Sequence, residues 1–395
     1  MTAEFEHGGP IGEIRTVTYI GAGMMGCVNS LVAAVSGYHV VLHDAAADML
    51  TSVAERQAGI GAYMVGIGYC TPAALAAGLG RVTTASELAD ALDGADLVSE
   101  SIYENREAKR SVLERVDKLA SPTTIITTNT STLMVSDLED AVERGTRFAA
   151  LHSHLGAPLY DIVGGLRTST ETIDVLRRFV ETLGGTPMVL KKEHPGYVFN
   201  SMNGHVMLMA VHLVLDRHAT VEDVDRVWMT DRSAPMGPFG MMDLFGLDLM
   251  RESWSTPTKD AHREALRERV EPFLTEMVEA DRLGQKSGAG FYTYPDPAYQ
   301  QPDFADAEPP SETASNALLG ALVTAAVMIE VKGVADRSDI DAAWRAATGQ
   351  TLGPFGILAS VGADSFIAVL DELRAEHLIA AETADTVRLH LRSTG

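Results

Sequence analysis

The distribution of hydrophobic residues divides the chain into two regions. Between residue 14 and about residue 190, short apolar segments alternate with segments of helical spacing, which is typical of a doubly wound, mostly parallel sheet with helices on both faces. From Pro195 onwards the apolar residues recur at helical spacing, which predicts an all-α region. The predicted strands are Thr18–Ile20, His39–His43, Leu97–Ser101, Thr124–Thr128, Phe148–His152 and Met188–Leu190.

The all-α region contains an internal repeat. The segment Met236–Gly240 recurs as Leu352–Gly356, and the same offset of 116 positions places Asp225 on Asp341. Because separate positions match at one offset without a gap, the sequence indicates a duplicated helical module. We therefore predict four parts: an α/β domain at 1–194, a first helical copy at 195–297, an acidic, proline-rich linker at 298–311 and a second helical copy at 312–395.

A glycine motif follows the first predicted strand. An apolar helix comes after it, and Asp44 closes the next strand. This order is typical of a dinucleotide site, in which the first glycine permits a tight turn and the helix N-terminus faces a pyrophosphate. Asp44 is placed to accept hydrogen bonds from a ribose, and Ala45–Ala47 offers no arginine for a 2′-phosphate, so NAD is favoured over NADP. The predicted cofactor-binding residues of the turn are Gly21, Ala22, Gly23, Met24, Met25 and Gly26.

The composition argues against several classes of protein. The chain has 395 residues, of which 46% are hydrophobic and 22% charged, as expected of a globular protein of two or three domains. The net charge of −23 is unfavourable for nucleic acid or an anionic membrane, and no uninterrupted apolar run reaches the ~18 residues of a span, so we expect neither partner. Two cysteines, Cys27 and Cys70, are typical of a cytoplasmic protein. Because no His, Asp and Glu have the spacing of metal ligands, no metal site is predicted.

Four further segments resemble one enzyme family in order and approximate spacing. They are Glu100–Asn105, Asn129–Thr132, Pro195–Asn200 and Gly284–Tyr292. Together with the glycine motif and the Met-Gly-Pro-Phe segment, they resemble the 3-hydroxyacyl-CoA dehydrogenase family over nearly the whole chain. The resemblance implies an NAD-binding Rossmann domain followed by a helical domain, with cofactor and substrate between them.

The resemblance also implies roles for individual residues. His152 matches the histidine that serves as general acid and base, and Ser131 and Asn200 match ligands of the substrate oxygen. Glu104, Lys109 and Lys286 match residues on the nicotinamide side of the cofactor. The resemblance also places Glu104 among the catalytic residues and Ser131 among the cofactor-binding residues. The residue types alone leave simpler roles open, because serine and asparagine also cap helices and a lysine on a helix is often only a solvated charge.

The chain departs from the family pattern beside the histidine. The family has an asparagine three residues after it and a glutamate twelve residues after it, where this chain has Leu155 and Gly164. Asp161 lies at an odd separation from Gly164 and is expected to face the other side of its strand. His154 shares the face of His152 and is either a second polar group of the site or a loop residue. The sequence therefore predicts that the histidine lacks its carboxylate partner.

These observations favour an NAD-dependent oxidoreductase that interconverts a 3-hydroxyacyl and a 3-oxoacyl compound. The substrate is a CoA thioester, a carrier thioester or a small free hydroxy acid. Segment 48–80, which holds CoA phosphates through lysines in the family, has Arg56 as its one basic residue. The alternative is an NAD-binding family member with lost or non-redox activity, because Gly164 replaces the glutamate. We expect a monomer with an internal pseudo-dimer or a homodimer.

Overall fold

The computed structural model describes residues 9–255, 261–307 and 312–394. The chain is divided into two units. The first comprises the residues up to Val198 together with Gly333–Asp339, and the second comprises Phe199–Lys332 and the residues from Ile340 onwards. The predicted linker is described only in part. Its residues 308–311 lie outside the described residues, whereas Tyr299 and Phe304 are buried side chains in short 3-10 turns.

The first unit is built on an eight-stranded sheet of order β3-β2-β1-β4-β5-β6-β7-β8. Its strands are parallel to their neighbours except for β6 and β7, which form an antiparallel pair. The predicted α/β sheet is confirmed, and each predicted strand overlaps an observed one. β3 and β7 lie outside the predicted set. The strands are β1 (Thr16–Ile20), β2 (His39–His43), β3 (Val82–Ala85), β4 (Leu97–Glu100), β5 (Ile125–Thr128), β6 (Phe148–Ser153), β7 (Leu159–Gly164) and β8 (Thr186–Val189).

Eight helices accompany this sheet in the described part of the first unit. The central strands β4, β5 and β6 are buried along their whole length, because elements cover both faces of a parallel sheet. The helices are α1 (Met24–Val35), α2 (Ala47–Thr51), α3 (Val53–Gly66), α4 (Pro72–Leu79), α5 (Leu88–Leu92), α6 (Arg106–Leu119), α7 (Val135–Leu138) and α8 (Thr170–Thr182).

The helical region repeats in structure as it does in sequence. Helix α10, shifted by the sequence offset of 116, coincides with α15 at both ends, and α11 coincides in the same way with α16. The predicted duplication of the helical module is confirmed. The helices are α9 (Phe199–Leu215), α10 (Val221–Arg232), α11 (Pro238–Phe245), α12 (Leu247–Ser255), α13 (Ala261–Glu279), α14 (Glu312–Val331), α15 (Arg337–Thr348), α16 (Pro354–Val361), α17 (Ala363–Ala375) and α18 (Ala381–Thr394).

Helix α14 is a long, apolar helix of the second unit. By length and composition it is able to cross a membrane, but 72% of its apolar window is buried inside the structure. Such burial is typical of a core helix. Helix α14 packs against α9, and this contact joins the two copies of the module.

A buried aspartate explains why the Gly-Pro-Phe-Gly segment occurs twice. Asp225 accepts hydrogen bonds from the backbone N–H groups of Phe239 and Gly240 at 2.8 and 2.9 Å, at the start of α11. Asp341 accepts from Phe355 and Gly356 at 2.8 and 3.0 Å, at the start of α16. In both copies a Cβ on the glycine before the proline would overlap the aspartate, so only glycine permits the approach. The repeated motif therefore builds a repeated cap of a helix N-terminus.

The two caps differ in burial, which leads to a prediction about stability. Asp225 is fully buried and also accepts a hydrogen bond from the Tyr292 hydroxyl at 2.9 Å, whereas Asp341 is only part-buried. The amide nitrogen of asparagine cannot accept a hydrogen bond. We therefore expect Asp225→Asn to lower the free energy of unfolding by about 2 kcal/mol and Asp341→Asn to lower it by about 1 kcal/mol. Urea denaturation of the two variants measures the difference, and equal losses would contradict this explanation.

Candidate functional site

The glycine turn between β1 and α1 has the backbone that a dinucleotide site requires. Gly21 has φ +105°, and a Cβ there would lie 2.6 Å from the carbonyl oxygen of Ser101. A Cβ on Gly26 would overlap the carbonyl oxygen of Gly21, so α1 packs directly on the turn. A Cβ on Gly23 would meet open space, on the side where the prediction places the pyrophosphate. Among the described residues no side chain caps α1, and its first turn contains no acid that would repel an anion.

Asp44 is fixed beside this turn at the end of β2. Its carboxylate accepts hydrogen bonds from the backbone N–H of Ala22 at 2.8 Å and of Ala46 at 2.9 Å, and the side chain stays part-exposed. Arg56 donates to the carbonyl oxygen of Ala22 at 2.6 Å and contacts Met49 Sδ at 3.5 Å. The predicted nucleotide residues therefore lie together, and the one cation of segment 48–80 is bound to the turn itself.

Glu104 and Lys109 organise the loops that follow β4 and β5. The Glu104 carboxylate accepts hydrogen bonds from the Ser131 N–H at 3.0 Å and from the Thr132 N–H at 3.0 Å, and it also binds the hydroxyl group of Thr130. Burial favours a raised pKa of Glu104, but the charge of Lys109 and the threonine hydrogen bonds outweigh burial and lower it. Glu104 is therefore an ionised group that holds the Ser131 loop.

The Lys109 ammonium group binds two carboxylates, one of which belongs to Glu104. Its side chain is 1% exposed and lies 2.8 Å from Glu100 Oε1 and 3.4 Å from Glu104 Oε2. Glu100 is fully buried at the end of β4 and also accepts from the hydroxyl group of Thr128 at 2.6 Å. In this arrangement Lys109 neutralises two carboxylates of the protein, and its role toward the cofactor remains a prediction.

His152 has a carboxylate partner, which corrects the sequence prediction. The antiparallel pairing of β6 and β7 places His152 opposite Asp161, and His152 Nδ1 lies 3.1 Å from Asp161 Oδ2. Gly164 lies opposite Ala149, so the glutamate position of the family does not face the histidine in this chain. The prediction was wrong because it assumed that position 164 faces His152. It therefore placed Asp161 on the opposite face of the strand. A hairpin's register is set by its turn, not by parity along one strand.

His154 shares the same carboxylate. Its Nε2 lies 2.7 Å from Asp161 Oδ2, and the rings of His152 and His154 meet edge to face at 4.5 Å. The three side chains are almost completely buried, with Asp161 at 0% and the histidines at 8% and 7% exposure. Their nitrogen and oxygen atoms lie within 4.8 Å of one another, a spacing that suits a metal ion. The prediction that the chain has no such cluster is therefore wrong. In this structure the atoms bind one another by hydrogen bonds.

The charges of the cluster fix its proton positions. Burial favours a raised pKa of Asp161, but the charge of His154 and hydrogen bonds from both histidines outweigh burial and lower it. Asp161 is therefore a carboxylate that only accepts, and both bound imidazole nitrogens donate. Burial lowers the pKa of His152, against the hydrogen bond to Asp161, and the charge of His154 lowers it further. His152 is thus a neutral imidazole with hydrogen on Nδ1 and a lone pair on Nε2.

Tyr197 connects His152 to the Ser131 loop and was not among the predicted site residues. Its hydroxyl group donates to the carbonyl oxygen of Thr130 at 2.8 Å, and its ring lies 5.2 Å from the His152 ring. Burial raises the pKa of Tyr197, so the hydroxyl group remains a donor. Its φ of 51° is a strained conformation for tyrosine and follows Pro195-Gly196. That dipeptide was the available signal for a special backbone at this position.

The remaining predicted residues belong to the second unit. Asn200 is the second residue of α9 and is part-exposed. Lys286 lies in a 3-10 turn, where its ammonium group contacts both oxygens of Asp248 at 2.5 Å. The structure thus gathers the glycine turn, Asp44, Glu104, Lys109, Ser131 and His152 in the first unit and places Asn200 and Lys286 in the other.

Comparison with known proteins identifies matching families over most of the chain. Residues 16–194 match the family model described as 3-hydroxyacyl-CoA dehydrogenase, NAD binding domain. Residues 196–294 and 314–388 both match the model described as 3-hydroxyacyl-CoA dehydrogenase, C-terminal domain. The mitochondrial hydroxyacyl-coenzyme A dehydrogenase of Sus scrofa is 32% identical over 295 residues, which cover 71% of this chain and 91% of that protein.

Two solved structures extend this similarity. A diketoreductase, described as a catalyst acting on dicarbonyl compounds, has 30% identity and a TM-score of 0.66, and the match covers 72% of this chain and 100% of that one. A 3-hydroxybutyryl-CoA dehydrogenase from Escherichia coli K12 has a TM-score of 0.80 at 20% identity and covers 97% of this chain and 100% of that one. The second match shows a common fold that includes both helical copies.

Proposed function

The chain belongs to the 3-hydroxyacyl-CoA dehydrogenase family and is an NAD-dependent oxidoreductase, and from this premise we propose that it interconverts a 3-hydroxyacyl and a 3-oxoacyl compound with His152 as general acid and base. The observation that carries the proposal is the hydrogen bond from His152 Nδ1 to the buried Asp161 carboxylate. It leaves the lone pair of the ring on Nε2, the nitrogen able to take a proton from a substrate hydroxyl group.

The residues of the first unit have distinct tasks in this reaction. In the oxidation direction His152 Nε2 accepts the hydroxyl proton, and the electrons of the O–H bond form the new carbonyl group while the carbon loses a hydride. NAD supplies the hydride acceptor when it is bound. Asp161 stabilises the imidazolium that results, because it lies 3.1 Å from Nδ1. In the reduction direction the imidazolium returns the proton to the oxygen.

Ser131 and Asn200 are proposed to bind the reacting oxygen. Ser131 is supported by the position of its loop. Its backbone N–H donates to the Glu104 carboxylate at 3.0 Å, and Tyr197 contacts both this loop and the His152 ring. Support for Asn200 comes from its place in the motif that begins α9. The alternative of a family member without redox activity rested on a missing carboxylate. Since Asp161 provides one, the dehydrogenase reaction is favoured.

The charges near the nucleotide turn support a proposal about the carrier of the substrate. Arg56 is the one basic residue of segment 48–80, and its guanidinium group is already bound to Ala22 and Met49. We therefore propose that the nucleotide of CoA contributes little to substrate binding. A 3-oxoacyl group on a short carrier, or a small oxo acid, then serves as a substrate as well as the CoA thioester does.

A substrate panel tests the proposed function. We expect the protein to oxidise NADH, measured by absorbance, in the presence of acetoacetyl-CoA. Replacing the CoA part by N-acetylcysteamine is expected to change kcat/KM by less than about tenfold, because few cationic groups are available for the nucleotide. Acetoacetate serves as the free acid of the panel.

The cofactor provides the internal control. NADPH is expected to support turnover at least about tenfold less well than NADH, because the Asp44 carboxylate repels a 2′-phosphate. Absence of turnover with every 3-oxo compound, in a protein that binds NADH, would contradict the proposed reaction. A loss of kcat/KM much greater than tenfold without the CoA nucleotide would contradict the proposal about the carrier.

A further inference from the structure

The buried side chains of His152, His154 and Asp161 bring three metal-ligand atoms together. One ligand atom from each residue lies within 4.8 Å of those of the other two. Asp161 Oδ2 lies 3.1 Å from His152 Nδ1 and 2.7 Å from His154 Nε2. Two ligands of a tetrahedral zinc ion are separated by about 3.3 Å, because each metal–ligand bond is about 2.0–2.1 Å long. The two hydrogen-bonded distances therefore have to open by less than about 1 Å to admit an ion.

The other oxygen of the carboxylate gives an independent reason to expect a cation. Asp161 Oδ1 is buried, and it has no hydrogen-bond partner among the described residues. The hydrogen bonds from His152 and His154 leave this oxygen unsatisfied, because both run to Oδ2. A buried carboxylate oxygen without a partner is costly, and a cation beside the carboxylate removes much of that cost. An ion bound between Oδ2 and the two imidazoles lies beside the same carboxylate, where Oδ1 is available as a further ligand.

The ligand atoms select the kind of ion. Two imidazole nitrogens and one carboxylate suit zinc and similar divalent transition metals, because imidazole is a good ligand for these ions. Catalytic zinc sites in other proteins use three ligands of this type, with water in the fourth position. Magnesium prefers oxygen ligands and retains its bound water, so the cluster is a poor site for it. The cluster is therefore expected to discriminate zinc from magnesium.

We propose that His152, His154 and Asp161 form a binding site for a divalent transition metal ion such as zinc, and that the bound ion inhibits the enzyme. The inhibition rests on the proposed function, whereas the binding of the metal does not. A neutral imidazole has one N–H group and one lone pair. When His152 Nδ1 binds the metal through its lone pair, the ring carries its hydrogen on Nε2, which then cannot accept the proton of the substrate. The ion lies on the Nδ1 side of the ring, away from the nitrogen that serves as the base.

Zinc binding is measured on the untagged native protein after a chelator has been applied and removed. Calorimetric titration with zinc chloride is expected to show a strongest site of one ion per chain, which magnesium chloride does not fill. X-ray absorption at the zinc edge is expected to show two imidazole nitrogens at about 2.0–2.1 Å. His154→Gln, which removes one ligand, is expected to weaken zinc binding at least about tenfold, since even groups that only hydrogen-bond to a metal ligand contribute that much. His39→Gln, at the exposed start of β2, is expected to leave it unchanged.

Inhibition is measured separately, as initial rates of the dehydrogenase reaction at increasing concentrations of zinc chloride. Turnover is expected to fall as the site fills and to return when a chelator is added. His154→Gln is expected to need at least about tenfold more zinc to lose half of its own metal-free rate.

The possible results separate the metal site from its consequence. Zinc bound to the native protein without imidazole ligands, or bound equally tightly by His154→Gln, would overturn the site. Zinc bound at the cluster with undiminished turnover would contradict the inhibition. Zinc bound at the cluster of a protein without dehydrogenase activity would overturn the proposed function and leave the metal site supported.

Discussion

Replacing His152 by glutamine is expected to lower kcat about 10²- to 10⁴-fold, the range that a general acid or base contributes. Glutamine is able to fill the space and donate a hydrogen bond to Asp161, but it cannot take up a proton at neutral pH. The substrate hydroxyl group would then lose its proton without a base, whereas binding of NAD would not change. Initial rates with the best substrate of the panel, at saturating cofactor, measure the effect.

The control for this variant is His39→Gln, at the exposed start of β2. It is expected to keep native activity. The affinity of His152→Gln for NADH, measured by fluorescence titration, is expected to remain within about twofold of the native value, because His152 lies on β6 and is not part of the glycine turn that follows β1. If His152→Gln kept more than a tenth of the native kcat, another group would have to transfer the proton.

The fold was predictable because its signals are local in sequence. The glycine motif lies between a strand and a helix, and the structure places it in that turn with Gly21 at φ +105°. The repeat was equally visible, since an offset read from Met236–Gly240 and Leu352–Gly356 reproduces the ends of α10 and α15. Periodicity and spacing suffice where neighbours in space are also neighbours in sequence.

The partner of the histidine was not predictable in the same way. Asp161 faces His152 only because β6 and β7 form a hairpin whose register pairs these two positions. Strand β7 lies outside the predicted set, so no register was available for it. The segment Gly156-Ala157-Pro158 was the signal for a turn, and recognising it would have predicted an antiparallel β7.

Lys109 illustrates a different limit of the sequence. Its residue type and its place in the motif predict a contact with the cofactor, while the structure shows its ammonium group bound to Glu100 and Glu104. Glu100 ends a buried strand, and nothing in its neighbourhood in sequence indicates which cation it meets. The pairing results from how α6 packs on the sheet, which is a tertiary effect.

This pairing gives the second large expected effect. Lys109→Met is expected to lower the free energy of unfolding by about 3–5 kcal/mol, because it leaves the Glu100 carboxylate buried without its counter-charge. Lys118→Met, on the exposed face of the same helix, is expected to change stability by no more than about 0.5 kcal/mol. Urea denaturation of the two variants measures the contrast between lysines of identical chemistry.

A double variant separates the ion pair from other roles of Lys109. In Glu100→Gln/Lys109→Met neither buried charge remains, so about half or more of the lost stability is expected to return, and the two changes are expected not to be additive. If Lys109→Met were as stable as Lys118→Met but bound NADH more weakly, the ammonium group would serve the cofactor and the buried pair would be dispensable. If it were unstable but bound NADH normally, Lys109 would act on the site through Glu104, which holds the backbone of Ser131.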